Sequence, residues 1–299
     1  MRVASTLAPR WALAQALEQF ITPPRFLHSA SETRLMSRAT HEIVATPMGR
    51  IATWRIGEEW KPVVILCHGW GGRGAQLRAF VEPLLTAGYQ VVFFDHIGHG
   101  HSDGKQAAMV DFWRGVEAVW DATLNRGVPV TGIVAHSLGG AAVASALRRS
   151  LSRSHVDAPM PRVVLVAPPS SLIRYSRLFA RYMGIPESIR RAMQWRFEKR
   201  YGVNWEEFEL PQSVNTIVAK ALFIHDHDDR ETRLEGSLAL ARAWQDARFM
   251  ATRGLGHRRI LRDKAVVAAA VDFIGDHVQF SRPPEAADGN PPGSAAPLY

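Results

Sequence analysis

"GIVAHSLGGAA", residues 132–142, decides how this chain is read. An apolar, β-branched run ends in a His-Ser pair and is followed at once by Gly139, Gly140, Ala141 and Ala142. That order describes a strand ending at Ala135, a sharp turn at Ser137 and a helix beginning near Leu138. A strand and a helix joined by so tight a turn nearly touch, so the residues around the turn must be small. The helix start behind Ser137 brings free backbone N–H groups and the positive end of a dipole, a setting that favours a developing oxyanion. A serine at a helix start is also a common cap, so the flanking sequence has to decide between the two roles.

Outward from this segment, short runs of β-branched and aromatic residues recur at 63–67 (VVILC), 90–95 (QVVFFD), 130–135 (VTGIVA), 162–167 (RVVLVA) and 220–225 (KALFIH). Such runs suit strands buried on both faces of a parallel sheet. Helical patterns lie between them. One over 75–88 stops at Gly88, and one over 109–127 carries Val110, Trp113, Val116, Val119, Trp120 and Leu124 on one face and stops at Gly127. Two more follow at 233–247 and 263–278. HEIVATP and GRIATWRI, on either side of Gly49, form an antiparallel hairpin ahead of the first buried strand. The alternation argues for an α/β fold, a mostly parallel central sheet with helices on both faces. Residues 172–216 are too long for a simple crossover and are expected to form a helical cap. The expected organisation is an N-terminal helical extension over 1–40, a core over 41–171 and 217–280, the cap at 172–216 and a disordered tail, rich in Pro, Gly and Ala, at 281–299.

Composition narrows the function. With 46% hydrophobic residues the chain has ample material for one large core. The net charge of +8 comes from dispersed arginine, without a basic tract, paired C-x-x-C motifs or interleaved RNA-binding aromatics, so no nucleic-acid partner is expected. No apolar run approaches the length of a membrane span, and MRVASTLAPRWALAQALEQF lacks the compact apolar stretch of a secretory signal. It forms an amphipathic helix with Trp11, Leu13, Leu17 and Phe20 on its apolar side. The single cysteine, Cys67, sits in a buried strand and fits a reducing, cytoplasmic setting.

The chemistry-bearing residues lie at the ends of the strands. In CHGWGGRGAQL (67–77), His68-Gly69 opens a tight loop that lets the N–H of Trp70 point towards Ser137. With the N–H of Leu138 it makes a two-donor oxyanion hole. FDHIGHGHSDG (94–104) reads as a structural turn. LFIHDHDDRET supplies three acids, Asp226, Asp228 and Asp229, and GLGHRRI places His257 in a glycine-flanked loop. The order along the chain is Ser, Asp, His.

These residues together resemble the α/β-hydrolase-fold serine hydrolases. The resemblance runs over about residues 41–279 and rests on His68-Gly69-Trp70-Gly71, on Asp95-x-x-Gly98-His99-Gly100-x-Ser102, on Ala135-His136-Ser137-Leu138-Gly139, on the acid cluster and on Gly256-His257. Ala135 departs from the family's G-x-S-x-G. The phrasing is similar to a bacterial branch of carboxylesterase- or lipase-like proteins. The family usually writes G-x-x-D after the strand, and Asp226 stands in the glycine's place, which aligns Asp229 with the acid and leaves Asp228 in reserve. The resemblance therefore implies a Ser137–His257–Asp229 triad, an acyl-enzyme intermediate, a carboxylic ester or thioester as small-molecule substrate, and no cofactor or metal. Two rival classes stay open. A metal-dependent hydrolase would use His96, His99 and His101 with His225–Asp229 as ligands, and a non-catalytic binding protein would use the same fold with an idle triad.

Pocket residues are expected at His136, and at Leu178 and Tyr182 in the cap. The cap interleaves such residues with Arg174, Arg177, Arg181, Arg190, Arg191 and Arg196. Two readings of that pattern stay open: an apolar face over an acyl pocket with arginines towards an anionic head group or a peripheral membrane contact, or a helix pair packed on the sheet edge with a solvated basic face.

Overall fold

The buried runs become strands, and their side chains divide cleanly between two cores. In the computed structural model, which describes residues 8–150 and 159–275, β3 (Val63–Cys67) turns Val63, Ile65 and Cys67 to one face and Val64 and Leu66 to the other. The alternation repeats in β5 (Val130–His136), β6 (Arg162–Val166) and β7 (Ala221–Asp226), as the two-residue period of a strand requires. With β4 (Gln90–Phe94) these strands are parallel, and the hairpin β1 (Thr40–Thr46)–β2 (Gly49–Ile56) joins antiparallel at one edge. With β8 (Ala247–Thr252) at the far edge, the sheet has eight strands among the described residues, in the order β1-β2-β4-β3-β5-β6-β7-β8. One core is closed by the helices Pro9–Ile21, Met109–Leu124 and Leu138–Ser150, the other by Val81–Thr86 and Lys264–Gly275.

The strand order reverses beside β3: the chain passes to β4 on one side, then crosses to β5 on the other. A reversal of this kind opens a crevice at the carboxyl ends of the strands, where loops diverge. The loop after β3 and the Ser137 turn after β5 both sit there.

Two elements differ from the sequence reading. β8 (Ala247–Thr252) was hidden at the end of a helical pattern; it is an edge strand with only Ala247 buried, so it lacks the apolar run that marks the others. The N-terminal helix turns Ala12, Ala16, Phe20 and Ile21 inward, while Trp11 is 54% exposed. Its small residues let it lie against the helix Glu187–Tyr201, and Phe20 enters an aromatic cluster with Tyr175, Phe179 and Trp205.

Between β6 and β7 the insertion forms helices Leu172–Met183 and Glu187–Tyr201 followed by short 3-10 turns. Glycines in the left-handed conformation, Gly184 and Gly202, end both helices. The stretch at 281–299 lies outside the described residues. Among the described residues no helix is long and apolar enough to cross a membrane.

The closeness of the helix start to the end of β3 can be measured. A Cβ added at Gly139 would stand 2.4 Å from the carbonyl oxygen of His68 and 2.9 Å from that of Cys67. Neither backbone atom can yield without shifting β3. Gly139→Ala is expected to destabilise the protein by about 2–3 kcal/mol, seen as a lower urea midpoint; an unchanged midpoint would mean that the strand and helix have room to spare.

Candidate active site

Ser137 has φ of 53°, a left-handed conformation that costs a non-glycine residue about 1–3 kcal/mol. The turn is held from both sides: the N–H of Ser137 donates to Val166 O at 2.9 Å, and Gly140 N–H donates to Ser137 O at 2.8 Å. Ala135 occupies the family's glycine position with an ordinary, negative φ, and its methyl is fully buried in the core.

Three sequence-expected residues meet here. His257 Nε2 lies 3.0 Å from Ser137 Oγ, and His257 Nδ1 lies 2.7 Å from Asp229 Oδ2. Asp229 is a fully buried side chain and His257 nearly so. Burial opposes ionisation of Asp229, but hydrogen bonds to His225 and His257 and from the N–H of Thr232 outweigh it, holding the carboxyl well below the usual carboxylate range.

Asp226 and Asp228 do other work. Asp226 Oδ1 accepts the N–H of Asp228 and of Gly256, both at 2.9 Å, and its Oδ2 accepts Thr252 Oγ1 at 2.6 Å and Leu255 N–H at 3.1 Å. Asp228 Oδ2 accepts Gly254 N–H at 2.7 Å. These two carboxylates tie the acid loop to the loop that carries His257. Burial opposes ionisation of Asp226, but Thr252 and the three N–H donors keep its carboxyl below the ordinary range.

Sequence reasoning missed Thr232. Asp229 Oδ1 accepts the N–H groups of Glu231 and Thr232, an Asx-type turn, while Thr232 Oγ1 stands 2.9 Å from Asp229 Oδ2 and 3.2 Å from both His257 Nδ1 and Ala167 O. The Asp-x-x-Thr spacing is the local signal that announces such a turn.

His136 lines the cleft and positions the imidazole: its Nε2 is 2.9 Å from His257 O, and the two rings lie 4.6 Å apart. Burial, reinforced by His257, lowers its pKa to about 3, so it works as a neutral ring.

The loop after β3 is shaped by buried histidines. Gly69 packs so closely on Ser137 that a Cβ there would lie 2.8 Å from the serine Cβ and 3.3 Å from Leu138 N. This closeness brings the Trp70 segment beside the start of the helix. His99 Nε2 accepts Gly71 N–H at 3.0 Å and His68 Nε2 accepts His96 N–H at 2.9 Å, which fixes both rings as acceptors. Burial, then His68, lowers the His99 pKa to about 3 and keeps that acceptor free. Trp70 itself stacks on Phe112.

The histidines of 96–101 and the acids of 226–229 do not converge. His68, His96 and His99 form one ring cluster, and the carboxylates of 226–229 are occupied by loop backbone and by His257. Among the described residues the potential metal ligands that approach one another are His28, Asp95 and His101, within 4.8 Å. Asp95 already accepts the N–H groups of Gly74 and His101 at 2.8 Å each, and so acts as the keystone of the structural turn.

A cleft of about 500 Å³ opens over Ser137. Trp70 and His136 line it, but the expected cap residues do not. Tyr182 is 89% exposed, in the last turn of its helix before Gly184, and Leu178 borders only a neighbouring depression. Tyr175, near the start of the same helix, lines the cleft instead. The cap arginines also stay outside it, and Arg190 is buried against Glu187, Ser176 and Gln194. Leu138 borders a second, apolar pocket of about 20 Å³ with Met109, Leu172, Phe208 and Leu210.

Comparison with known proteins agrees with this architecture. Residues 58–207 match the family described as serine aminopeptidase, S33 (Hydrolase_4). The chain is 34% identical over 119 residues to the magnesium-chelatase 30 kDa subunit of Rhodobacter capsulatus and 32% identical over 91 residues to a monoglyceride lipase homolog of monkeypox virus. These alignments cover 39% and 27% of this chain, and 39% and 33% of those proteins. Among solved structures, an esterase of Pyrococcus furiosus superposes with a TM-score of 0.63 at 20% identity, over 85% of this chain and 98% of that one. A monoacylglycerol lipase of Paleococcus ferrophilus gives 0.57 at 20% identity, over 76% and 99%. At such identities the likeness shows the fold, which is that of the α/β-hydrolases.

The two loop carboxylates and the acid paired with His257 are separable by mutation. Asp229→Asn is expected to lower kcat on an activated ester by about 10⁴, while Asp228→Asn costs less than about tenfold, since it loses one backbone contact. With its folded-state pKa depressed, Asp229 also contributes stability above the ordinary carboxyl value of about 3.9, lost as pH falls through the folded value. The asparagine variant should therefore show a flatter acid limb in a plot of melting temperature against pH.

Proposed function

Since the chain belongs to the serine aminopeptidase S33 (Hydrolase_4) family, we propose that it is a serine hydrolase cleaving carboxylic esters or thioesters through an acyl-enzyme on Ser137. The observation that carries this reading is the hydrogen-bonded line from Ser137 Oγ to His257 Nε2 at 3.0 Å and from His257 Nδ1 to Asp229 Oδ2 at 2.7 Å, at the floor of an open cleft.

Ser137 Oγ attacks the substrate carbonyl as His257 Nε2 takes its proton. Asp229, kept ionised and buried, fixes the imidazole with its proton on Nδ1 and stabilises the imidazolium as it forms. The carbonyl oxygen becomes an oxyanion held by the N–H groups of Trp70 and Leu138; each such donor is worth about 3–4 kcal/mol to the transition state. His257 then passes its proton to the leaving oxygen or sulfur. Water, deprotonated by the same imidazole, releases the acyl group and restores Ser137.

The pocket beside Leu138 favours a short acyl group. At about 20 Å³ it has room for about one water-sized group, while the larger cleft receives the alcohol portion. The esterase and monoacylglycerol lipase neighbours are consistent with a small ester substrate.

A fluorophosphonate is expected to add to Ser137, seen as a mass shift on the peptide that contains it, and Ser137→Ala should lower hydrolysis of p-nitrophenyl acetate by about 10⁴-fold or more. Across p-nitrophenyl esters kcat/KM should be highest at C2–C4 and fall by roughly tenfold or more by C12. Hydrolysis that survives Ser137→Ala would overturn the reading.

A further inference from the structure

The cleft over Ser137 is cationic, and its charge does not come from the cap. Arg73, Arg258, Arg259 and Arg262 line it, against Glu231 as the one acid among the described lining residues. Arg73 extends from the loop after β3, and the other three follow His257 directly in the sequence. Two of the four charges are neutralised. Arg73 forks onto Glu32 Oε2 at 2.8 and 3.1 Å, and Arg258 Nε meets Glu231 Oε1 at 3.0 Å. The other two are not. Arg259 spends its donors on the carbonyl oxygens of Leu255 at 3.2 Å and Gly254 at 2.6 Å, which fix the guanidinium without cancelling it. Arg262 meets no carboxylate among the described residues.

Arg78, in the adjacent 3-10 turn Gly74–Phe80, adds a second arginine to Glu32. Its Nη1 stands 3.8 Å from Glu32 Oε1, an ion pair too long for a hydrogen bond, and burial, then the charge of Arg262, lowers its pKa against the pull of Glu32. Arg259 and Arg262 are both exposed, so water tempers their mutual repulsion but leaves their shared positive field over the cleft. Among the described residues Arg262 has its guanidinium fork free for the oxygens of a carboxylate or phosphate, while Arg259, with Nε and Nη2 engaged, adds its charge and its Nη1.

We propose that Arg259 and Arg262 form an anion subsite, and that the preferred substrates are short-chain esters whose alcohol portion carries a carboxylate or phosphate. The inference rests on Ser137 as nucleophile. The apolar pocket beside Leu138 takes the acyl group, and the charged end of the alcohol lies along the segment that follows His257. The same segment thus supplies the proton-transferring imidazole and the substrate's counter-charge, so a bound anion fixes the leaving oxygen close to His257.

Three acetates test this: 4-acetoxybenzoate, its neutral methyl ester, and 4-acetoxyphenyl phosphate. Each kcat/KM is divided by that ester's own rate with hydroxide. The wild type should prefer an anionic ester over the neutral one by roughly tenfold, and that preference should shrink as ionic strength rises from 0.15 to 0.5 M. Whichever anionic ester gains more identifies carboxylate or phosphate as the better ligand. Arg262→Glu should bring the ratio below one, and Arg262→Gln should bring it close to one. Arg177→Gln, on the exposed face of the cap and outside the cleft, should keep the wild-type ratio. Fluorophosphonate labelling of each variant shows that its site is assembled. A wild-type ratio near one, or a ratio that Arg262→Glu leaves in place, overturns the subsite and leaves the nucleophile standing. Hydrolysis that persists in Ser137→Ala overturns the nucleophile, and the ratio then still reports on the arginines.

Discussion

Everything at the site depends on the close approach of the helix that begins at Leu138 to the end of β3. The left-handed backbone of Ser137 turns the chain so abruptly that Gly139 rests on the carbonyls of His68 and Cys67. The turn presents the serine hydroxyl at the lip of the sheet, and it also presses the loop after β3 against the helix start. Ser137 and the flanking amides are therefore set by one packing contact. The strain persists because the surrounding strands over-determine it: Val166 holds the N–H of Ser137, and Gly140 holds its carbonyl.

The rest of the site is fixed by polar groups that do no chemistry. Asp226 collects four hydrogen bonds and joins two loops that are thirty residues apart in the sequence. His136 supports the backbone of His257, His99 supports that of Gly71, and Thr232 braces Asp229 against Ala167. Ala167 is the other non-glycine residue with a left-handed backbone among those described, and it lies at the end of the neighbouring strand. Two adjacent strand ends thus depart from ordinary geometry, one aiming the serine and the other anchoring the acid loop.

Much of this was legible in the chain. Strands buried on both faces announce themselves by continuous apolar runs, and the Ser137 turn by its small neighbours. Asp229 was legible because its spacing from the strand end matches a family pattern, although composition alone left three acids open. The bracing role of Asp226 depends on distant loops meeting, which no local pattern encodes; the Asp229–Thr232 turn has a local signal, but its contact with Ala167 does not. β8 was obscured because an edge strand needs few apolar residues. Tyr182 and Trp11 misled for a shared reason: helical periodicity reports the side a residue occupies, not how far along the axis the neighbouring surface extends. The arginines that line the cleft follow His257 closely and were overshadowed in the sequence by the denser run in the cap.

The N-terminal segment carries a consequence of its own. Pro24 and Phe26 line the cleft, and Arg25 between them is bound to the carbonyls of Gly98, Ser102 and Gly104. A wall of the cleft is thus built from a stretch that precedes the family-matched region, while Ser137 lies within it and Asp229 and His257 lie beyond it. On the proposed reading, a change confined to these leading residues would reshape the cleft while leaving Ser137, Asp229 and His257 untouched.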